Sequence, residues 1–333
     1  MKESFIELIR SSAKLGASDI HIVNEKICHR IQGILTALPS AGEASSSANR
    51  EIIIGLLDDE EAKILQAHGA VDFALTIDDI RLRVNVYKED NGLAAAIRIL
   101  PKEFPSIEEL HLERIIQRLN SALQQRTGGL VLVTGTTGSG KSTTLASLTD
   151  CLLRQQPRHA VTLEDPIEYI FIPDNGNSLI SRRELGRDFF DFSAGIRQSL
   201  REMPDILLVG EIRDEETMTA AMRAAESGIL VLASLHTGSA PGAVERVAGF
   251  YPPERQPVIL QQLSQVLTTV IAQRLISAAD GRRAVHEILT ATPAVRNLIR
   301  TGSTAQLMSA IIAGGNDDMI TFEKSAEQYL RKV

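Results

Sequence analysis

Gly135-Thr136-Thr137-Gly138-Ser139-Gly140-Lys141-Ser142 is the segment that most narrows what this chain can become. Its glycines let the backbone turn through conformations closed to other residues. The apolar run Leu130-Val131-Leu132-Val133 precedes it, and Thr143 to Leu152 continues it with a helical pattern. A strand, a glycine loop and a helix start in that order converge several backbone amides on one point, which suits phosphate oxygens. The amides of Thr136, Thr137, Gly138, Ser139, Gly140, Lys141, Ser142 and Thr143 would line such a site. The Lys141 ammonium would reach the β and γ phosphates, and the Ser142 hydroxyl would complete the coordination of Mg²⁺. ATP and Mg²⁺ are therefore the expected ligands. The rival reading, a glycine-rich turn without a ligand, must treat both flanks as accidents.

Such a loop needs a sheet to hang from. Leu130 to Val133, Ala160 to Leu163, Ile206 to Val209 and Ile229 to Leu232 are continuous apolar runs separated by helical patterns, which predicts an α/β fold with strands buried on both faces. Strands of a doubly wound sheet deliver their C-terminal residues to the ligand crevice. Two acids fall there: Glu164, in Glu164-Asp165-Pro166, and Glu211, after Gly210. One could orient an attacking water and the other could hold Mg²⁺. The alternative is that each site caps a following helix. His236 ends a further apolar run and could read the state of the γ-phosphate, although a lone histidine is more often structural.

The chain has 333 residues, more than one core usually serves, so two domains are expected. Residues 1–100 read as a small α+β domain. Phe5, Ile6, Leu8 and Ile9 predict an amphipathic helix that Gly16 could cap, and Asp19 to Val23 alternates like a half-buried strand. Arg30 to Leu35 reads as a strand, 49–67 as one helix with a solvated Asp58 to Glu61 run, and 80–88 and 93–100 as strands carrying Arg83 and Arg98. Pro101 and Pro105 mark 101–112 as a linker, leaving 113–333 as the second domain. Ile259, Leu263, Val266, Val270 and Leu275 recur at helical steps, with shorter helices expected through residue 330.

A net charge of -7 argues against nucleic acid as the partner. Cys28 and Cys151 stand far apart in no metal-ligand spacing, which fits a reducing, cytoplasmic setting. No run approaches a membrane span, and Met1-Lys2-Glu3-Ser4-Phe5 is unlike a signal peptide, so contact with a membrane is expected through a partner.

Four stations then line up. The phosphate loop is followed by Thr162-Leu163-Glu164-Asp165-Pro166-Ile167-Glu168, by Leu208-Val209-Gly210-Glu211-Ile212-Arg213-Asp214 and by Leu235-His236-Thr237-Gly238-Ser239-Ala240. In this order they resemble the Walker A, Asp box, Walker B and His box of the type II/IV secretion and pilus ATPase superfamily. The short first domain with Ala17-Ser18-Asp19-Ile20-His21, the lack of a paired-cysteine module, and Ala294-Val295-Arg296-Asn297-Leu298-Ile299-Arg300 resemble its PilT-like retraction ATPases. Val295, Thr301 and Met203 depart from the usual pattern, the last two standing where an acid is common.

The resemblance implies a PAS-like N-terminal domain on a RecA-like P-loop ATPase core, assembled as a homo-hexamer. It implies Glu164 as the water-polarising base, Glu211 as support for Mg²⁺ and His236 as the γ-phosphate sensor. Arg83 and Arg98 match the family's sensor arginines in motif and spacing. Such rings act from the cytoplasm on an inner-membrane platform protein to dismantle pilus fibres. Assembly and secretion ATPases share the four stations. A ring that binds nucleotide without turnover would not need the acids at 164 and 211.

Overall fold

The computed structural model describes residues 3–37, 46–90, 92–100, 103–171, 177–278 and 281–330. Contacts divide the chain into Met1–Glu103 with Pro166–Ile170, and Phe104–Asp165 with Phe171–Val333.

The first unit is built on an antiparallel sheet of β1 (Ala17–Val23), β2 (Lys26–Ile31), β3 (Ile34–Ala37), β4 (Ala70–Ile77), β5 (Ile80–Glu89) and β6 (Gly92–Ile99), in the order β3-β2-β1-β6-β5-β4. The helix Glu3–Lys14 buries Phe5 and Ile9 with Ile20, Ile22, Leu82, Val84, Val86 and Ile97. Because side chains alternate along a strand, Leu82, Val84 and Val86 enter this core while Arg83 lies on the other face of β5.

Three local expectations change. The strand expected over Arg30 to Leu35 is a hairpin, since Gln32 and Gly33 take φ of 50° and 84°, the paired positive angles that a tight two-residue turn requires. The single helix expected over 49–67 is two, Ser46–Ile54 and Asp59–His68. The acidic run is the start signal of the second: Asp58 accepts from the Glu60 and Glu61 amides, and the Glu61 carboxylate accepts from the Asp58 amide, a capping box. Finally, β4 was not anticipated.

The second unit carries a seven-stranded sheet of β7 (Gly129–Thr134), β8 (His159–Glu164), β9 (Leu179–Glu184), β10 (Ile206–Val209), β11 (Leu230–Leu235), β12 (Leu267–Ala278) and β13 (Gly281–Thr290). The order is β13-β12-β7-β11-β10-β8-β9, and every neighbouring pair is parallel except β12 with β13. The four apolar runs expected to be strands are β7, β8, β10 and β11. Leu130 and Leu132 of β7 join one core while Val131 and Val133 join the other, so both faces are covered and the run has no polar member. Of the linker expected over 101–112, Pro101 and Lys102 lie outside the described residues, while Ile107, Leu110 and Leu112 are buried in the core beside Val131 and Val133.

The long helix expected from Ile259 to Leu275 ends early. The helix is Gln256–Val266, and Leu267 at φ -61° and ψ 128° turns the chain into β12, which holds Val270 and Leu275. The β-branched Thr268-Thr269-Val270-Ile271 is better suited to the strand than to another helical turn.

Ahead of β10, Met203 adopts φ 50° and ψ 54° and is 83% exposed. A side chain in this left-handed conformation costs roughly 1–2 kcal/mol unless it is short and polar. Met203→Asn is expected to stabilise the protein by about 1 kcal/mol, read as a higher urea midpoint. An unchanged or lower midpoint would show that no strain is stored there.

Candidate functional site

Parallel strands bring their C-terminal ends to one edge of the sheet, and the second unit places its singled-out residues there. β7 runs into Gly135, and the helix Lys141–Gln155 begins behind Gly140. Gly140 sits at φ 88° as the N-cap and supplies no side chain, so the first-turn amides have no side-chain cap. That leaves them available to an anion. Thr136, Thr137, Gly138 and Ser142 are exposed, whereas Ser139 is buried and Thr143 is intermediate. Lys141 is 8% exposed, and its ammonium folds back across the loop, donating to the Gly135 carbonyl at 3.0 Å and the Thr136 carbonyl at 3.1 Å.

Glu164 ends β8 and is 9% exposed. Gly210, just beyond β10, donates its amide to the Leu163 carbonyl at 2.8 Å, and a Cβ on it would lie 3.4 Å from the Glu164 Cα. The missing side chain lets the two acid-bearing strand ends lie side by side. The Glu211 carboxylate pairs with Arg213 and lies 3.3 Å from His236 Nε2. The amide of Thr237 donates to Thr134 Oγ1 at 2.8 Å, fastening the end of β11 to the end of β7. The loop, Glu164, Glu211 and His236 thus occupy one edge. Helix capping is done by other acids: Asp191 caps Phe192–Ser199 and Asp214 caps Glu215–Glu226.

Arg83 and Arg98 belong to the first unit. They are directly opposite each other on β5 and β6. Arg83 Nη1 lies 3.7 Å from Glu168, and Arg98 Nε lies 3.0 Å from Asp19.

Among the described residues, no group of three or more His, Cys, Asp or Glu is arranged to hold a metal. An exposed Ser142 hydroxyl and the Glu211 carboxylate fit a different arrangement, in which Mg²⁺ takes few protein ligands and completes its octahedron with phosphate and water oxygens.

The sequence reading missed Gln273, having assigned its segment to a helix. It lies in β12 at 2% exposure. A Cβ at Gly140 would come within 2.8 Å of its Nε2, and one at Gly135 within 2.5 Å of its carbonyl oxygen, so the glycines let the loop press against β12. Beside it on β13, His286 is 2% exposed, and burial, with a contribution from His111, pushes its pKa down to about 4.

The type II/IV secretion system protein family matches residues 2–280. The type IV pilus retraction ATPase PilT of Pseudomonas aeruginosa is 40% identical over 322 residues, 95% of this chain and 91% of that one. An uncharacterized protein, YggR, of Escherichia coli K12 is 39% identical over 322 residues, 96% of each chain. A crystal structure of the pilus retraction motor PilT with bound ADP superposes at a TM-score of 0.84, with 35% identity, covering 97% of this chain and 96% of that one. The architecture is thus the one the motifs implied, a RecA-like P-loop core with a smaller N-terminal domain.

A neutral, buried His286 gives stability a definite pH dependence. Its folded pKa lies below the unfolded value of 6.5, so no penalty applies above pH 6.5, and one builds as the pH falls toward 4. The difference in unfolding free energy between the wild type and His286→Gln is expected to change by about 3 kcal/mol over that window, the wild type losing more. Parallel acid-unfolding curves for the two proteins would contradict a neutral buried imidazole.

Proposed function

Because the chain belongs to the type II/IV secretion system protein family, we propose that it is an ATP-hydrolysing motor powering retraction of a type IV pilus. The observation that carries this is the single sheet edge on which the phosphate loop, two acids and a histidine meet.

ATP is the substrate, with its phosphates in the loop Gly135 to Ser142 and Lys141 turning from the loop carbonyls to the β and γ phosphates. A cavity of about 410 Å³ beside Gly140 and Thr144, reaching Leu275 and Arg283, has the size for the base and ribose. Ser142 and Glu211 would hold Mg²⁺, which would supply positive charge against the phosphate oxygens. Glu164 takes the proton of a water attacking the γ-phosphorus, the bond to the β–γ bridging oxygen breaks, and ADP and phosphate result. His236, hydrogen-bonded to Glu211, distinguishes the state with a γ-phosphate from the state without one.

The working form is a homo-hexamer in which Arg83 and Arg98 of one subunit serve the nucleotide of another, adding positive charge where the transition state gathers negative charge. Among the described residues no helix is long and apolar enough to cross a membrane. In this proposal the ring acts from the cytoplasm through an inner-membrane platform protein.

Purified protein should turn over Mg-ATP in a ring-sized assembly, and Lys141→Ala should abolish turnover. Glu164→Gln should lower kcat by about 10²–10⁴-fold while ADP binding stays near wild type. Glu211→Gln should raise the Mg²⁺ concentration needed for half-maximal rate. Normal turnover in Glu164→Gln would remove the base assignment. Deletion cells that lose surface pili, instead of accumulating them, would reverse the direction of the motor.

A further inference from the structure

Gln273 is a buried amide whose orientation is set by what surrounds it. The Ser139 carbonyl can only accept, so the nitrogen must face it, and Nε2 donates to Ser139 O at 2.6 Å. Oε1 then accepts from Thr144 Oγ1 at 2.6 Å and from His286 Nε2 at 3.2 Å, which makes the neutral imidazole the Nε2–H tautomer. A flipped amide would set oxygen against oxygen at Ser139, so the Ser139 carbonyl fixes the orientation and the imidazole tautomer follows from it. The Ser325 hydroxyl accepts from the His286 amide at 3.0 Å, so the backbone beneath the imidazole is held as well.

Ser139 lies inside the phosphate loop and Thr144 in the first turn of the helix behind it. In a planar trans peptide the carbonyl and the following N–H point in opposite directions. Drawing the Ser139 carbonyl toward β12 therefore aims the Gly140 N–H away from the sheet, to the side where phosphate oxygens would lie. We propose that Gln273 is a positioning residue for nucleotide: through Ser139 and Thr144 it fixes the direction of the loop amides, and His286 donates the second hydrogen bond that its Oε1 accepts. This rests on the reading that Gly135 to Ser142 holds nucleotide. Gln273 touches no phosphate in this scheme. It acts through the Ser139–Gly140 peptide, and its effect falls on affinity more than on the chemical step, because the amide holds the same phosphates before and during reaction.

The test is titration of a fluorescent ADP with the full-length protein, alongside KM and kcat for Mg-ATP. Gln273→Met keeps the volume and removes the hydrogen bonds. It should weaken ADP binding and raise KM about tenfold, with kcat at saturation within about threefold of wild type. Thr144→Val should weaken ADP binding less, Thr144→Ser should restore it, and Thr144→Val added to Gln273→Met should cost nothing further. ADP binding by Gln273→Met equal to wild type, a fall in kcat at unchanged KM, or equal losses in Thr144→Val and Thr144→Ser would overturn the proposal. If Gln273→Met does not fold, the Thr144 pair decides by itself. A wild type that binds no ADP, or a Lys141→Ala variant that binds it normally, would instead refute the nucleotide site, and this inference with it.

Discussion

The burial of β7 on both faces is the constraint from which the candidate site follows. Leu130 and Leu132 pack into one core and Val131 and Val133 into the other, all at 0% exposure, with β12 and β11 hydrogen-bonded on either side. Such a strand cannot shift in register without exposing side chains to the wrong neighbours, so the loop at its end starts from a fixed point. The neighbouring strands inherit that reference. β12 brings Gln273 under the loop, and β11 brings Thr237 and His236 beside it.

What could be read from the sequence is what local backbone chemistry demands. The phosphate loop is visible because its glycines, lysine and serine are needed at fixed offsets, and β7, β8, β10 and β11 because strands covered on both faces are built mainly from apolar residues. Features set by distant partners stayed hidden. In β12, Val270 and Leu275 continue the helical spacing of Ile259, Leu263 and Val266, and only the pairing with β7 and β13 makes the segment a strand. Gln273 carried no signal either, since a glutamine gains its meaning from the register that sets it opposite His286. The Asp58 to Glu61 run was readable as a capping box, but the helix pattern imposed across it concealed the boundary.

The polar cluster directly beneath the phosphate loop is neutral where it could have been charged. His286 is held uncharged by burial, and Gln273, Thr144 and Ser139 exchange hydrogen bonds among neutral groups. A buried charge beneath the loop would have to be compensated there, and its field would add to or oppose that of any phosphate above. Neutral partners give direction without adding charge, and the charge nearest the phosphates is Lys141 on the loop itself.

The order β7-β11-β10-β8 gives the sheet edge the character of a ruler. The phosphate loop, His236, Glu211 and Glu164 stand at successive graduations, and neighbouring graduations are about 4.8 Å apart because that is the distance a backbone hydrogen bond imposes between strands. The backbone spacing of these groups is therefore borrowed from the backbone hydrogen bonds between strands and owes little to the side chains that occupy it. A residue exchanged at one graduation leaves the others where they were, so such an edge can be retuned one mark at a time.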